Sequence, residues 1–236
     1  MALPLIQSAT GTITSALSGT VAFVTPLLPN STIVVAIVEA ITSGTGDITT
    51  VSDNLGNTYT TYAGVGFAAL GVKIFVAKNL KSGIPTITGN LSVSTTTAVI
   101  IAAEYGRVDQ TTVLANALDP NVLGTNTGTS TTATPGTLTT ANAENLNLMV
   151  AANQSSATFT ALSVFRNVIA GSNGTLQAVL ADRYSGIPGN KNPGLTVSSS
   201  VTWWAIQIIL ATTLNQLVNY QFISVGDGMS TSEKIR

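Results

Sequence analysis

Three carboxylates stand where chemistry would need them, at or beside apolar runs: Glu39 near the end of Thr32–Ala40, Glu104 after Ala98–Ala103, and Asp182 in Leu180-Ala181-Asp182-Arg183-Tyr184. A carboxylate pair is the one cheap hydrolytic apparatus open to this chain, because it has no histidine and no cysteine. Without imidazole or thiol there is no Ser or Cys triad, no thiolate metal site and no His-rich zinc or iron site. A β-sandwich glycan hydrolase would need two of these carboxyls roughly 5 to 9.5 Å apart. Nothing in their spacing shows that any two converge, and strand-end carboxylates commonly bond turn amides or pair with an arginine. No G-x-S-x-G elbow, P-loop or G-x-G-x-x-G opening a helix is present. The sequence therefore assigns no catalytic, cofactor-binding or metal-binding residues.

The segment Asp53-Asn54-Leu55-Gly56-Asn57-Thr58-Tyr59 carries several oxygen-bearing side chains and a glycine, as a calcium loop does. It lacks the full D-x-D-x-D-G pattern and the bidentate glutamate. A hairpin turn is the simpler account, with local side-chain to backbone bonds from Asp53 and Asn54 and a positive φ at Gly56. Adjacent Trp203 and Trp204 on one strand must point to opposite faces. One is expected in the core; the other is loop-capped, at a subunit interface, or stacked on a sugar. Lys73, Lys78 and Lys81 are the only local excess of positive charge, and solubility or edge protection explains them.

Only nineteen side chains are charged, 9 basic and 10 acidic, or 8 % of 236 residues, against roughly 25 % in an average domain. Threonine, serine, asparagine and glycine fill the gap, as in Thr125-Asn126-Thr127-Gly128-Thr129-Ser130-Thr131-Thr132. Such a surface is polar without being ionic, which suits close approach between subunits better than catalysis. The net charge of -1 gives no footprint for nucleic acid. No apolar run reaches the roughly 18 residues of a membrane span. The opening Met1–Gln7 has no basic n-region, so the chain is expected to be made and first folded in a cytoplasm.

The elements that must position these residues are strands. Apolar runs are short, β-branched and punctuated by Gly, Pro, Asn and Asp. Ile33–Val38 and Ala98–Ala103 are apolar on both faces and read as central strands; Val72–Val76 and Asn145–Val150 alternate and read as strands with one wet face. The expected fold is all-β: one antiparallel β-sandwich, jelly-roll-like, over 1–212, with a C-terminal extension, 213–236. Its core is placed at Val34, Ala36, Val38, Ile74, Val76, Ile100, Leu148, Val150, Leu180 and one tryptophan. The Thr/Asn/Gly-rich stretch 109–145 is read as a long loop with one short strand.

Taken in order, Leu3-Ile6-Gln7-Ser8, Ile33-Val34-Val35-Ala36, Thr50-Val51-Ser52-Asp53-Asn54-Leu55-Gly56-Asn57-Thr58-Tyr59, Phe75-Val76-Ala77-Lys78-Asn79-Leu80, Ala102-Ala103-Glu104-Tyr105 and Leu180-Ala181-Asp182-Arg183 resemble β-sandwich modules of bacteriophage structural proteins and bacterial surface proteins. The resemblance covers Leu3 to Thr212, and its most specific piece is the V-S-D-N-L-G-N-T-Y hairpin. It implies a jelly-roll-like fold with a structural or adhesive role, and it transfers no catalytic residues. The resulting expectation is a non-enzymatic structural protein of a virion: a bacteriophage capsid decoration, head-fibre or tail component. Its partners would be other virion proteins and copies of itself. The alternative is a carbohydrate-binding or adhesive module, with Trp203 or Trp204 touching a glycan. The extension has an apolar half with Leu214, Leu217, Val218, Tyr220, Phe222 and Ile223. The expected interface residues are Trp203, Trp204, Leu217, Val218, Tyr220 and Phe222.

Overall fold

The computed structural model describes residues 5–40, 47–67, 69–95, 97–108, 110, 123–140, 145–162, 165–185 and 189–212. Among them there is no helix. The strands are β1 (Leu5–Ile13), β2 (Ala16–Ala22), β3 (Thr32–Ala40), β4 (Ile48–Asp53), β5 (Tyr59–Phe67), β6 (Leu70–Ala77), β7 (Thr86–Thr95), β8 (Ala98–Tyr105), β9 (Leu123–Ala133), β10 (Leu138–Thr140), β11 (Asn145–Gln154), β12 (Phe159–Ala161), β13 (Asn167–Asn173), β14 (Leu176–Ser185), β15 (Gly189–Lys191) and β16 (Leu195–Leu210). All their pairings are antiparallel.

A central sheet, β1-β8-β3-β6-β5, is packed on both faces. A larger sheet, β12-β16-β11-β14-β13 with β9 also on β16, covers one face, and a small sheet, β2-β7-β4, covers the other. Successive residues of a strand point to opposite faces, so β3 and β8 serve two cores at once. Val34, Ala36, Val38, Val99 and Ile101 meet Leu148, Val150, Leu180 and Ile206 of the larger sheet. Ile33, Val35, Ile37 and Ile100 meet Val21, Val51, Ile87 and Leu91 of the small sheet. This is the physical reason for their uninterrupted apolar runs. Every expected core residue is buried, but Ile100 belongs to the second core and the buried tryptophan, Trp203, to a third cluster on the outer face of the larger sheet, rather than to the core shared by the rest. The small sheet lies so close that a Cβ on Gly89 would stand 2.7 Å from Ile37 Cδ1.

Three expectations about elements are corrected. The V-S-D-N-L-G-N-T-Y turn is not a hairpin: β4 pairs with β7 in the small sheet and β5 with β6 in the central one, so the turn is a corner between layers. The sequence reads as two strands at Leu195–Ser199 and Val201–Thr212, but the structure has one, β16 (Leu195–Leu210), with a bulge between Thr196 and Val201 in its pairing to β9. The stretch read as a loop with one short strand carries an eleven-residue strand, β9, besides β10, because β-branched threonines favour extended backbone even where no apolar alternation announces it. The extension 213–236, with Leu217, Val218, Tyr220 and Phe222, lies outside the described residues.

Register defines two ends of the sandwich. At one, Thr32 faces Tyr105 and Ile33 faces Ala77. The chain also reaches Thr212 there, bridged to Val108. At the other, Glu39 faces Ala98 and Gly71.

Candidate functional site

The structure keeps the three carboxylates apart. Glu104 is opposite Ile33, six residues from Glu39 on β3, which is about 20 Å at strand rise. Asp182 lies across the central sheet from both, beside Tyr105 in the other core. No two of them form a glycosidase pair. Asp182 is fully buried and pairs with Arg166, whose Nη2 is 2.9 Å and Nε 3.1 Å away. Asn167 Nδ2 donates to it at 2.7 Å. Burial pushes the Asp182 carboxyl up, and the bonds from Asn167 and Arg166 only partly oppose this. Burial first, then the charge of Asp182, pushes the Tyr105 phenol well above its ordinary range.

Glu104 is instead an anchor. It is fully buried and accepts three hydrogen bonds: from the Leu28 N–H at 2.8 Å, Ser31 Oγ at 2.5 Å and Gln7 Nε2 at 2.6 Å. Gln7 in turn grips Thr25, donating to its carbonyl at 3.1 Å and accepting from its Oγ1 at 2.8 Å. The loop between β2 and β3 is thereby fixed at both shoulders. Pro26 and Pro29 restrict its backbone further. Across from it, the Phe23 N–H donates to the Pro85 carbonyl and the Leu27 N–H to that of Gly83.

The Asp53 corner braces the same end. Asp53 Oδ1 accepts from the N–H groups of Leu55 and Asn57, both at 3.0 Å. Its Oδ2 accepts from Asn57 Nδ2 at 2.7 Å and the Tyr59 hydroxyl at 2.8 Å, and Gly56 has φ 72. The turn reading holds for Asp53 and Gly56. The calcium alternative finds no free carboxylate oxygen, since both already accept two donors. Asn54 departs from expectation: its Oδ1 reaches across to the Thr86 N–H at 2.7 Å, while Asn57 Oδ1 accepts from the Lys81 N–H at 2.7 Å. Both bonds hold the β6–β7 loop. Burial acts to raise the Asp53 carboxyl, but the bonds from Asn57, Tyr59 and Leu55 outweigh it and hold the group below its ordinary value.

What these two braces present is apolar. Val24 is 84 % exposed, Leu28 51 % and Ile84 47 %, with exposed Pro26 and Pro29 in the same loop as Val24 and Leu28. Beneath them Phe23 and Leu27 are buried. Exposed apolar side chains scattered singly need no account, but a rigid group rimmed by polar residues marks a contact surface. The candidate site is this end patch. Sequence reasoning missed it; its one signal was the loop Val24-Thr25-Pro26-Leu27-Leu28-Pro29, too apolar for a plain connection.

The other end is built differently. Glu39 is buried and accepts from the Asp47 N–H at 2.5 Å. Burial raises its carboxyl, and the bonds from the Asp47 and Ile48 backbone and the charge of Lys73 do not cancel that. Lys73 is not part of a surface lysine cluster: its Nζ donates to the Ile48 carbonyl at 2.5 Å. Beside it opens a groove of about 420 Å³ lined by Ile48, Thr61, Lys73 and a floor that includes Gly64, Gly66 and Gly71.

The tryptophans do point to opposite faces. Trp203 is buried in the outer cluster of the larger sheet, its Nε1 donating to Ser130 Oγ at 3.0 Å and its ring lying over Gly128. Trp204 is half-buried against the core shared with the central sheet. Comparison with protein-family models, with curated proteins and with solved structures finds no match in any of the three.

Proposed function

We propose that this chain is a non-enzymatic structural protein of a virus particle, a bacteriophage capsid decoration, head-fibre or tail component, attached through its braced apolar end. The observation that carries the reading is the patch of Val24, Leu28 and Ile84, held by the buried Glu104 and by the bonds that Asn54 and Asn57 of the Asp53 corner make to the β6–β7 loop. A buried carboxylate that meets three donors stiffens a loop whose apolar side chains stay in water, an arrangement that brings nothing to a domain that works alone. It is reasonable for one that docks, because a pre-ordered surface loses less entropy on binding.

The winding of the first eight strands supports the same proposal. The central sheet takes them in the order 1-8-3-6 and the small sheet in the order 2-7-4, while the links β1–β2, β3–β4 and β7–β8 pass from one sheet to the other. We read this as a jelly roll in which β5 stays beside β6, and jelly rolls serve in viral capsids and in lectins. Fold alone does not assign function, so the lectin-like alternative is answered by the same experiment. Native particles imaged at side-chain resolution should contain the chain with its Val24 end against a neighbour. Absence from the particle, together with saturable sugar binding that Trp204→Ala abolishes, would favour the carbohydrate-binding reading.

A further inference from the structure

We propose that the patch of Val24, Leu28 and Ile84 receives the apolar segment Leu214–Ile223 of a second copy of this chain. The inference deepens the docking reading by naming the partner, and it rests on three observations. The first is the patch itself, exposed in the single chain and pre-ordered by Glu104 and the Asp53 corner. The second is where the chain continues: Thr212 is bridged to Val108, at the same end of the sandwich as the patch. Twenty-four residues follow, and Leu214, Leu217, Val218, Tyr220, Phe222 and Ile223 among them are apolar enough to match an apolar receptor. The third is charge. Residues 213–225 contain no charged side chain, so the segment brings no ion that the patch would have to desolvate.

Geometry favours a neighbouring copy over the chain's own domain. Val108, which holds Thr212, belongs to the core between the central and larger sheets, whereas Glu104 and the loop it anchors belong to the side of the small sheet. Leu214 stands only two residues past Thr212, about 7 Å of extended chain, while stacked sheets lie roughly 10 Å apart. Two residues do not span that gap, so a segment seated on the patch from Leu214 onward comes from a second copy. A second copy places all of Leu214–Ile223 there, and exchange of this kind between identical chains repeats without a new surface.

The test uses the full chain, purified alone, with a photo-reactive phenylalanine analogue in place of Val24. Unlabelled and 15N-labelled protein are mixed, irradiated and digested, and the cross-linked peptides are weighed. The proposal expects mixed-label links from position 24 to 214–223, and none from the same analogue at Val93, exposed on β7. In parallel, Val24→Glu should weaken self-association by at least about tenfold, the equivalent of one lost apolar anchor, with the circular dichroism of the sheets unchanged. Links to another segment, or links only within one label, would overturn it. Because no particle is involved, self-association through the patch would stand even if the chain proved absent from virions, and virion membership would stand if these links failed.

Discussion

The two ends of the sandwich use their carboxylates in opposite ways. At the Tyr105 end, Glu104 and Asp53 meet donors already in place, N–H groups, an amide, hydroxyls, and the loops they hold carry exposed Val24, Leu28 and Ile84. At the Glu39 end the carboxyl has a shorter list of donors, burial raises it, and the surface beside it is a glycine-floored groove. The contrast teaches what decides whether a buried acid stabilises. Several short bonds from preformed donors turn it into an anchor; desolvation with few bonds leaves it a cost.

The largest effect is expected at Glu104. Glu104→Ala removes the acceptor of three hydrogen bonds, from Leu28, Ser31 and Gln7, and urea denaturation should show a loss on the order of 3 kcal/mol with the slope unchanged. A loss under about 0.5 kcal/mol, typical of surface changes, would mean that the end is not braced. Arg166→Met comes next. It removes the partner of the buried Asp182, but Arg166 is 26 % exposed, so about 2 kcal/mol is expected rather than the full cost of a wholly buried pair.

Asp53 at one end and Glu39 at the other shift in opposite directions, so their contributions to stability depend on pH with opposite signs. The folded pKa of Asp53 lies below its unfolded value near 3.9, so its stabilisation is present above that value and is lost as pH falls through the folded pKa. Asp53→Asn should cost about 1 kcal/mol at neutral pH, and the gap from wild type should close in acid. The folded pKa of Glu39 lies above its unfolded value near 4.3, so stability is greatest below that value and falls as pH rises through the folded pKa. Glu39→Gln should therefore be neutral or stabilising by up to about 1 kcal/mol at pH 7, converging on wild type in acid. Melting temperatures of both variants against pH check the signs. The smallest effect is expected at the patch itself, where Val24→Ser should leave stability within about 0.5 kcal/mol.

Much of this was legible in the residues, and what was not has a common cause. Two-faced runs such as Ile33–Val38 announce a strand packed on both sides, and Asp53 with Gly56 announces a turn, because both signals are local. The same turn chemistry serves a hairpin and a corner, and only the pairing of β4 with β7, more than thirty residues on, decides between them. β13, Asn-Val-Ile-Ala-Gly-Ser-Asn, reads as turn-rich and is held as a strand by β14. The anchor joins Glu104 to Leu28 across 76 positions, so no window of sequence contains it. The carboxylates were visible as candidates; their separation became visible only with the register of β3 and β8.

Hydrogen exchange at the Leu28 amide reports whether the docking end is ordered before any partner binds. If the Glu104 bond fixes the loop, this amide should exchange as slowly as those of β8, opening only with global unfolding, and Glu104→Gln should speed it by at least about tenfold, the loss of a charge-assisted bond. Exchange of wild-type Leu28 at the rate of an unprotected loop, unchanged in Glu104→Gln, would contradict the account.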